Sequence, residues 1–456
     1  MTRWLYSCLM WLVQPLLKRK LRRRSVLEPV YGHFIDERFG RYTHPVPTHD
    51  GPTVWLHAVS LGETRAAAVL LAALREQLPQ MRLLLTHGTA TGRAEGLTLL
   101  KEGDLQAWQP WDTPAVVQRF LSHFKPNLGI LVETEVWPNL VAGCQQMGVP
   151  LVLVNARLSE KSLRRAQRLG WLARPTFAAL RAVWAQTALD AQRLQSLGAR
   201  VQGVMGNLKF DAAPDAGQLA AGKAWRAQLV KPVVMFASSR EGEEQALLEI
   251  LRQARRDQPA GGPPAKVGES AGAAPSPRWP DGLAMSDTEE VQWLIVPRHP
   301  QRFDEVAALI ESHGFAVQRR SGWGQGGPVA AAAGKPLFWL GDSLGEMALY
   351  YGLADVALLG GSFEPLGGQN LIEAAACGCP VVMGPHTFNF LEAAEQALAA
   401  GAALRVSDLG QAVAGLGELL CDDTLATARQ SAKRFAQSHQ GAARRLVDAM
   451  VREIVF

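Results

Sequence analysis

The residues best suited to chemistry stand just beyond apolar runs. In VWLHAVSLGE such a run ends at Gly62 and Glu63, and TRAAAVLLAAL follows with a helical pattern. Glu63 is therefore expected at the carboxyl end of a strand and the start of a helix, where ligand sites of α/β proteins form. Helix N–H groups favour a carboxylate there as the anion, which a general base must be. On position alone, helix capping with no other role is the plainer reading of this Glu. A second acidic pair, Glu133 and Glu135 in ETEVWPNL, follows the run LGILV, with Trp137 and Pro138 turning the chain into the next helix. N-terminal helix charge is the plainer reading of that pair. The run LVLVN leads into the basic segment ARLSEKSLRR, and GNLKFD places Lys209 at the last strand of the same series.

The second half of the chain repeats the theme with donors for an anion. MFASSREGEE puts Ser238, Ser239 and Gly242 between a strand and a helix, as an anion-binding turn needs. QWLIVPRHPQRFDEV ends its apolar run at Pro297, Arg298 and His299, where an Arg can fork onto a phosphate and the His serves as a cap or as a ligand contact. ADVALLGGSFEPLGGQNLIEAAACGCPVVMGP then reads as strand, glycine-rich loop, helix and strand. Gly361, Gly367 and Gly368 allow close backbone approach, Gln369 and Asn370 stand at the helix start, and Glu373, one turn in, is placed to take ribose hydroxyls. Cys377 and Cys379 flank one Gly in an apolar stretch and are expected to pack as small hydrophobes. These residues together indicate an enzyme that handles a nucleotide-sugar or another phosphate ligand.

Positioning such groups needs an α/β scaffold. Apolar runs at Val54–Val59, Leu83–Thr86, Leu128–Val132 and Leu151–Val154, then Val233–Ala237, Leu294–Val296, Val356–Leu359 and Val381–Met383, alternate with longer helical patterns. This is the rhythm of parallel sheets. A break rich in Ala, Gly and Asp at Phe210–Gly222 separates two series. The expected fold is α/β, with two doubly wound Rossmann-like domains, residues 25–215 and 222–456, facing across a cleft. A chain of 456 residues is long enough for both. Residues 258–288, dense in Pro, Gly, Ala and Ser, are expected to form a disordered surface insertion, and Gly322–Gly334 reads the same way.

Residues 1–24 have a different character. Trp4–Leu17 is uncharged and rich in Leu and Trp, and it ends at the basic run Lys18, Arg19, Lys20, Arg22, Arg23 and Arg24. That pattern predicts a membrane anchor whose basic flank stays on the cytoplasmic side. About 14 residues are short for a span, so a marginal span and a helix in the inner leaflet are both open, with an ordinary amphipathic core helix as the plainer alternative. The net charge of +5 resides in this flank; no basic face interleaved with aromatics speaks for nucleic acid. Five irregularly spaced cysteines fit a reducing compartment rather than a disulfide framework.

The ordered motifs HAVSLGE, ETEVWPNL, NARLSEKS, GNLKFD, ASSREGEE, PRHPQRF, GDSLGEM and GGSFEPLGGQNLIEAAACGCPVVMGP resemble those of the 3-deoxy-D-manno-octulosonic acid (Kdo) transferases, over most of the chain. The resemblance implies a two-domain fold of the GT-B type. It implies an inverting glycosyltransferase that moves Kdo from CMP-Kdo to a lipid A precursor, lipid IVA, in lipopolysaccharide core biosynthesis at the cytoplasmic side of the inner membrane. The first domain would bind the acceptor and the second the nucleotide-sugar. Carried over onto matching positions, Glu63 is the general base, and Glu133 and Lys209 stabilise the transition state. Pro297, Arg298, Gly345, Glu346, Met347, Asn370, Leu371, Ile372 and Glu373 bind the CMP part. Arg240 departs from the His common at its place. A leaving monophosphate calls for no bridging metal, the ten histidines show no metal-ligand spacing, and no cofactor is expected. The rival readings are an enzyme of the same fold acting on a UDP-sugar, and an inactive glycolipid-binding protein.

Overall fold

A computed structural model of the chain describes residues 2–43, 46, 48–256, 291–324, 326–329 and 336–454. The segment 258–288 lies outside the described residues, as does part of 322–334. Two compact units divide the chain: residues 1–212 with 439–456, and residues 213–438.

The first unit holds seven parallel strands: β1 (Thr53–His57), β2 (Arg82–His87), β3 (Leu105–Trp108), β4 (Leu128–Val132), β5 (Leu151–Ala156), β6 (Ala182–Ala185) and β7 (Val201–Val204), ordered β3-β2-β1-β4-β5-β6-β7. The central strands are buried at every position, as near-continuous apolar runs with helices on both faces require. One face packs Val54, Leu56, Ile130 and Val152 against Leu70 and Leu71 of helix Leu61–Gln77; the other packs Trp55, Leu131 and Leu153 against Phe120 and Leu121 of helix Pro114–Phe124.

The second unit repeats the plan with β8 (Val233–Ser239), β9 (Gln292–Pro297), β10 (Ala316–Arg319), β11 (Leu337–Leu340), β12 (Val356–Leu359), β13 (Val381–Met383) and β14 (Ala403–Arg405), all parallel and ordered β10-β11-β9-β8-β12-β13-β14. In each sheet the chain leaves its first strand to one side, then crosses back to fill the other. The crossing leaves a switch point between β1 and β4, and another between β8 and β12.

Both ends of the chain differ from expectation. Residues 439–456, expected with the second domain, belong to the first unit. Helix Ala442–Glu453 buries Leu446, Val447 and Met450 in the same cluster as Val54, Leu70 and Leu85. Its start has no local side-chain cap, and Asp211 supplies one, accepting the Gly441 N–H at 2.6 Å and the Ala443 N–H at 2.5 Å. The N-terminal helix runs from Thr2 to Leu27, straight through the basic segment. It is part of the first unit rather than a separate piece: Leu21 is buried with Tyr31, Phe39 and Trp108. Its opposite stripe exposes Trp4, Leu5, Leu9, Trp11, Leu12 and Leu16. Among the described residues no helix is long and apolar enough to cross a membrane.

Leu446 is 1 % exposed, and truncating a Leu in such a core costs about 2–5 kcal/mol. Leu446→Ala is therefore expected to lower the unfolding midpoint of the first unit in a denaturant titration and leave the second unit's transition in place.

Candidate active site

At the first switch point the carboxyl ends of β1 and β4 lie side by side, His57 in register with Leu131. Glu63 follows one end and Glu133 the other. Glu63 sits in the first turn of helix Leu61–Gln77, where Ser60 is the N-cap and accepts the Glu63 N–H. Its carboxylate reaches back to accept the Val59 N–H at 2.8 Å and the Ser60 hydroxyl at 2.9 Å, a variant of the capping box in which the N–H belongs to the residue before the N-cap. The capping reading of Glu63 is therefore correct as geometry. It does not exhaust the residue, because a cap needs no unusual acidity. Burial pushes the Glu63 carboxyl up to about 7; the Val59 N–H opposes this, the Glu133 charge adds to it, Ser60 opposes, and Glu135 adds. A carboxyl that titrates near neutrality can exchange a proton at ordinary pH, which a cap alone does not need.

Glu133 takes a backbone conformation with φ +63°, in the left-handed region that non-glycine residues seldom adopt. Strain of that kind is held only where the surroundings over-determine it. Here the Glu133 N–H donates to Val154 O at 3.0 Å, Arg157 N–H donates to Glu133 O at 3.3 Å, and the Lys209 ammonium donates to Glu133 Oε1 at 3.0 Å. The ion pair is mostly buried, with side-chain exposures of 27 % and 16 %. Glu135 points elsewhere. It accepts the Trp137 indole N–H at 2.9 Å, and burial holds its carboxyl above the ordinary range. Lys209 is fixed in turn by two asparagines. Asn207 accepts the Lys209 backbone N–H at 3.0 Å, and buried Asn155, itself at φ +51°, accepts the Leu208 N–H at 3.1 Å. Asn155 was not singled out from the sequence, since nothing local marks it beyond its place in NARLSEKS.

At the second switch point the expected anion-binding turn already holds an anion, the protein's own. Glu243, 1 % exposed, accepts the N–H groups of Arg240 at 2.9 Å, Gly361 at 2.8 Å and Phe363 at 3.3 Å. A carboxylate 118 residues away in sequence thus binds the turn after β8 to the glycine-rich loop after β12. Gly361 offers its N–H to Glu243 and not to a ligand. Ser362, fully buried, accepts the Gly384 N–H at 2.9 Å and so joins the loop after β13 to the same assembly. Ser238 is left-handed at φ +56°, and the buried Ser239 hydroxyl has no hydrogen-bond partner among the described residues.

Two arginines, Arg240 and Arg298, stand at this place. Arg298 begins the loop after β9, its N–H donating to Ser239 O at 3.0 Å, and its side chain is exposed. Partial burial, together with Arg240 and Arg298, holds His299 below its ordinary acidity constant. Pro297 closes β9 in the sheet. Gly345 is left-handed at φ +78°, and Glu346, the N-cap of helix Met347–Leu353, is turned by Arg320 at 2.8 Å and by the Ser343 hydroxyl. Asn370 caps helix Leu371–Cys377, accepting the Ile372 N–H at 3.1 Å. Leu371 and Ile372 are each 1 % exposed and give their side chains to the core. Any contact they make with a ligand is through backbone. Glu373 is half-buried in the first helical turn. Burial pushes the Cys377 thiol up to about 12, and Cys379 is raised as well, as core cysteines are. Among the described residues no cluster of three His, Cys, Asp or Glu side chains could hold a metal ion.

The family model of the 3-deoxy-D-manno-octulosonic-acid transferases (kdotransferase) matches residues 33–212. A 3-deoxy-D-manno-octulosonic acid transferase of Bordetella pertussis is 46 % identical over 427 residues, which is 91 % of each chain. The enzyme of that name from Haemophilus influenzae is 28 % identical over 459 residues, 99 % of this chain and 98 % of its own. The crystal structure of the UDP-GlcNAc 2-epimerase from Neisseria meningitidis bound to UDP-GlcNAc aligns with a TM-score of 0.54 at 14 % identity, covering 88 % of this chain and 100 % of that one. At that identity the likeness is one of fold, a two-domain Rossmann-like fold of the GT-B type. With the family matched through its first unit and a relative this similar along nine-tenths of its length, the chain belongs to the Kdo transferase family.

Proposed function

We propose that the protein is an inverting glycosyltransferase that transfers Kdo from CMP-Kdo to a lipid A precursor, lipid IVA, in lipopolysaccharide core biosynthesis. The observation that carries this reading is the meeting, at the first switch point, of Glu63, titrating near 7, with the Glu133–Lys209 pair. The first unit serves the acceptor. Ionised Glu63 takes the proton of the attacking acceptor hydroxyl as the new glycosidic bond forms. Val59 and Ser60, holding its carboxylate, keep it aimed and do not release it as a mobile side chain. Glu133 balances the positive charge that develops on the sugar as its bond to CMP breaks, and Lys209, paired with it, holds that carboxylate in place.

The second unit serves the donor. Negative charge grows on the departing phosphate, and the exposed guanidinium of Arg298, beside Arg240 and His299, stabilises it more in the transition state than in the ground state. Pro297, the segment Gly345–Met347 and the segment Asn370–Glu373 surround the nucleotide, Leu371 and Ile372 through backbone only. Arg240 adds a permanent charge where relatives commonly carry His. Membership of the family speaks against the UDP-sugar reading, and the retention of Glu63, Glu133 and Lys209 together speaks against an inactive binder.

The acceptor's lipid places the work at a membrane, on the cytoplasmic side of the inner membrane. Helix Thr2–Leu27 is read as lying along the surface. Its exposed Trp4, Trp11, Leu12 and Leu16 enter the bilayer boundary, and Arg19, Lys20, Arg22 and Arg23, also exposed, meet anionic headgroups.

The base assignment predicts a pH profile. Glu63 must be ionised to act, and its carboxyl titrates at about 7, so kcat/KM should rise with pH to a plateau above about 7. Glu63→Gln should lower turnover by roughly 10²–10⁴-fold and remove that limb, with CMP affinity unchanged by calorimetry. Normal turnover in the folded variant would leave Glu63 a cap only. Arg298→Ala should weaken CMP binding by roughly 1.5–3 kcal/mol, and wild-type protein should bind CMP in preference to UDP. Tighter binding of UDP would favour the rival. On vesicles, full-length protein should float with anionic lipid and be released as salt rises, whereas indifference to lipid charge would remove the basic flank from the account.

A further inference from the structure

The N-terminal helix touches the core at a place that matters for the acidic loop. Of the loop's five residues, Glu133 to Trp137, the first is strained and the last is the N-cap of helix Pro138–Gln146, giving it no side-chain cap. The cap comes from Asp112, 3 % exposed, whose carboxylate accepts the Asn139 N–H at 3.1 Å and the Leu140 N–H at 2.7 Å. The Asp112 carbonyl also accepts the Asn139 side-chain amide at 2.8 Å. The third donor to the same carboxylate is the Tyr6 hydroxyl, at 2.8 Å, from the N-terminal helix. Next to it, the Ser7 hydroxyl donates to Asn139 Oδ1 at 2.9 Å, and Trp111 donates its indole N–H to Met10 O at 2.8 Å. Two adjacent residues of the helix therefore close a ring of hydrogen bonds with the two residues that fix the start of helix Pro138–Gln146.

A cap of this kind could have been local, a Ser or Asp at position 137. Instead the carboxylate is buried, at a desolvation cost, and is shared between two helices. We propose that Asp112 is a positioning residue through which the seating of the N-terminal helix sets the geometry of the loop carrying Glu133 and Glu135. The helix is then a working part of the catalytic unit as well as its contact with lipid. This inference rests on the proposed role of Glu63 for its kinetic readout, and has a second readout that does not.

The test uses full-length protein with Tyr6→Phe, which removes one hydroxyl and keeps the ring, and Asp112→Asn. Displacing the loop moves Glu133 and Glu135 relative to Glu63. Because their charges raise the Glu63 carboxyl, its titration, followed by carbon NMR of the labelled side chain, should fall by about half a pH unit or more in both variants. Tyr6→Phe should also lower kcat about 3–10-fold with the KM for CMP-Kdo unchanged. The double variant should shift no further than Asp112→Asn alone, as residues acting through one contact do. Should Asp112→Asn fail to fold, Tyr6→Phe and Ser7→Ala carry the test. A lower melting temperature with the Glu63 titration and kcat both unchanged would overturn the proposal and leave Asp112 a structural cap. A shifted titration without turnover of CMP-Kdo in wild type would uphold it and sink the substrate assignment instead.

Discussion

Everything chemical in this molecule depends on one property of parallel sheets: all strands end on the same edge, and a reversal of strand order leaves a gap at that edge which helices do not cover. In the first unit the gap lies between β1 and β4, and the residues just past those strands are Glu63 and Glu133. In the second it lies between β8 and β12, followed by Arg240 and the glycine-rich loop. The site residues are far apart in sequence and are gathered by topology, with local geometry then adjusted by left-handed turns at Glu133, Asn155 and Ser238.

A mostly buried polar tie joins loops beside each gap. Lys209 against Glu133 does this in the first unit and Glu243 against three backbone N–H groups does it in the second. Buried charges are tolerated only when paired or fully hydrogen-bonded. These ties therefore fix loops that would otherwise wander at the mouth of the sheet. Asp112 and Asp211 play a similar part, each capping a helix from a distance and binding a chain terminus to the first unit.

Much of the scaffold was legible in advance because central parallel strands are buried on both faces and appear as unbroken apolar runs, Leu128–Val132 being identical in expectation and structure. Strands such as Leu105–Trp108, Val201–Val204 and Ala316–Arg319 escaped, since edge positions are half-buried and carry Gln, Gly or Arg. Glu63, Glu133 and Lys209 were visible from strand ends and from the family's motifs. The ties were not. Asp112 and Glu243 act on residues 27 and more than 100 positions away, and no periodicity encodes such contacts. From the sequence the turn at Ser238–Gly242 suits a ligand's anion, because a sequence cannot tell a phosphate from a carboxylate folded back by the chain itself.

We propose above all that this chain uses Glu63 to move Kdo from CMP-Kdo to lipid IVA. The most direct test is to incubate the full-length protein with CMP-Kdo and lipid IVA and read the lipid products by mass. A product heavier by one or more Kdo residues is expected, formed with release of CMP and lost in the folded Glu63→Gln variant. An unmodified acceptor with folded wild-type protein, or transfer undiminished in Glu63→Gln, would contradict it.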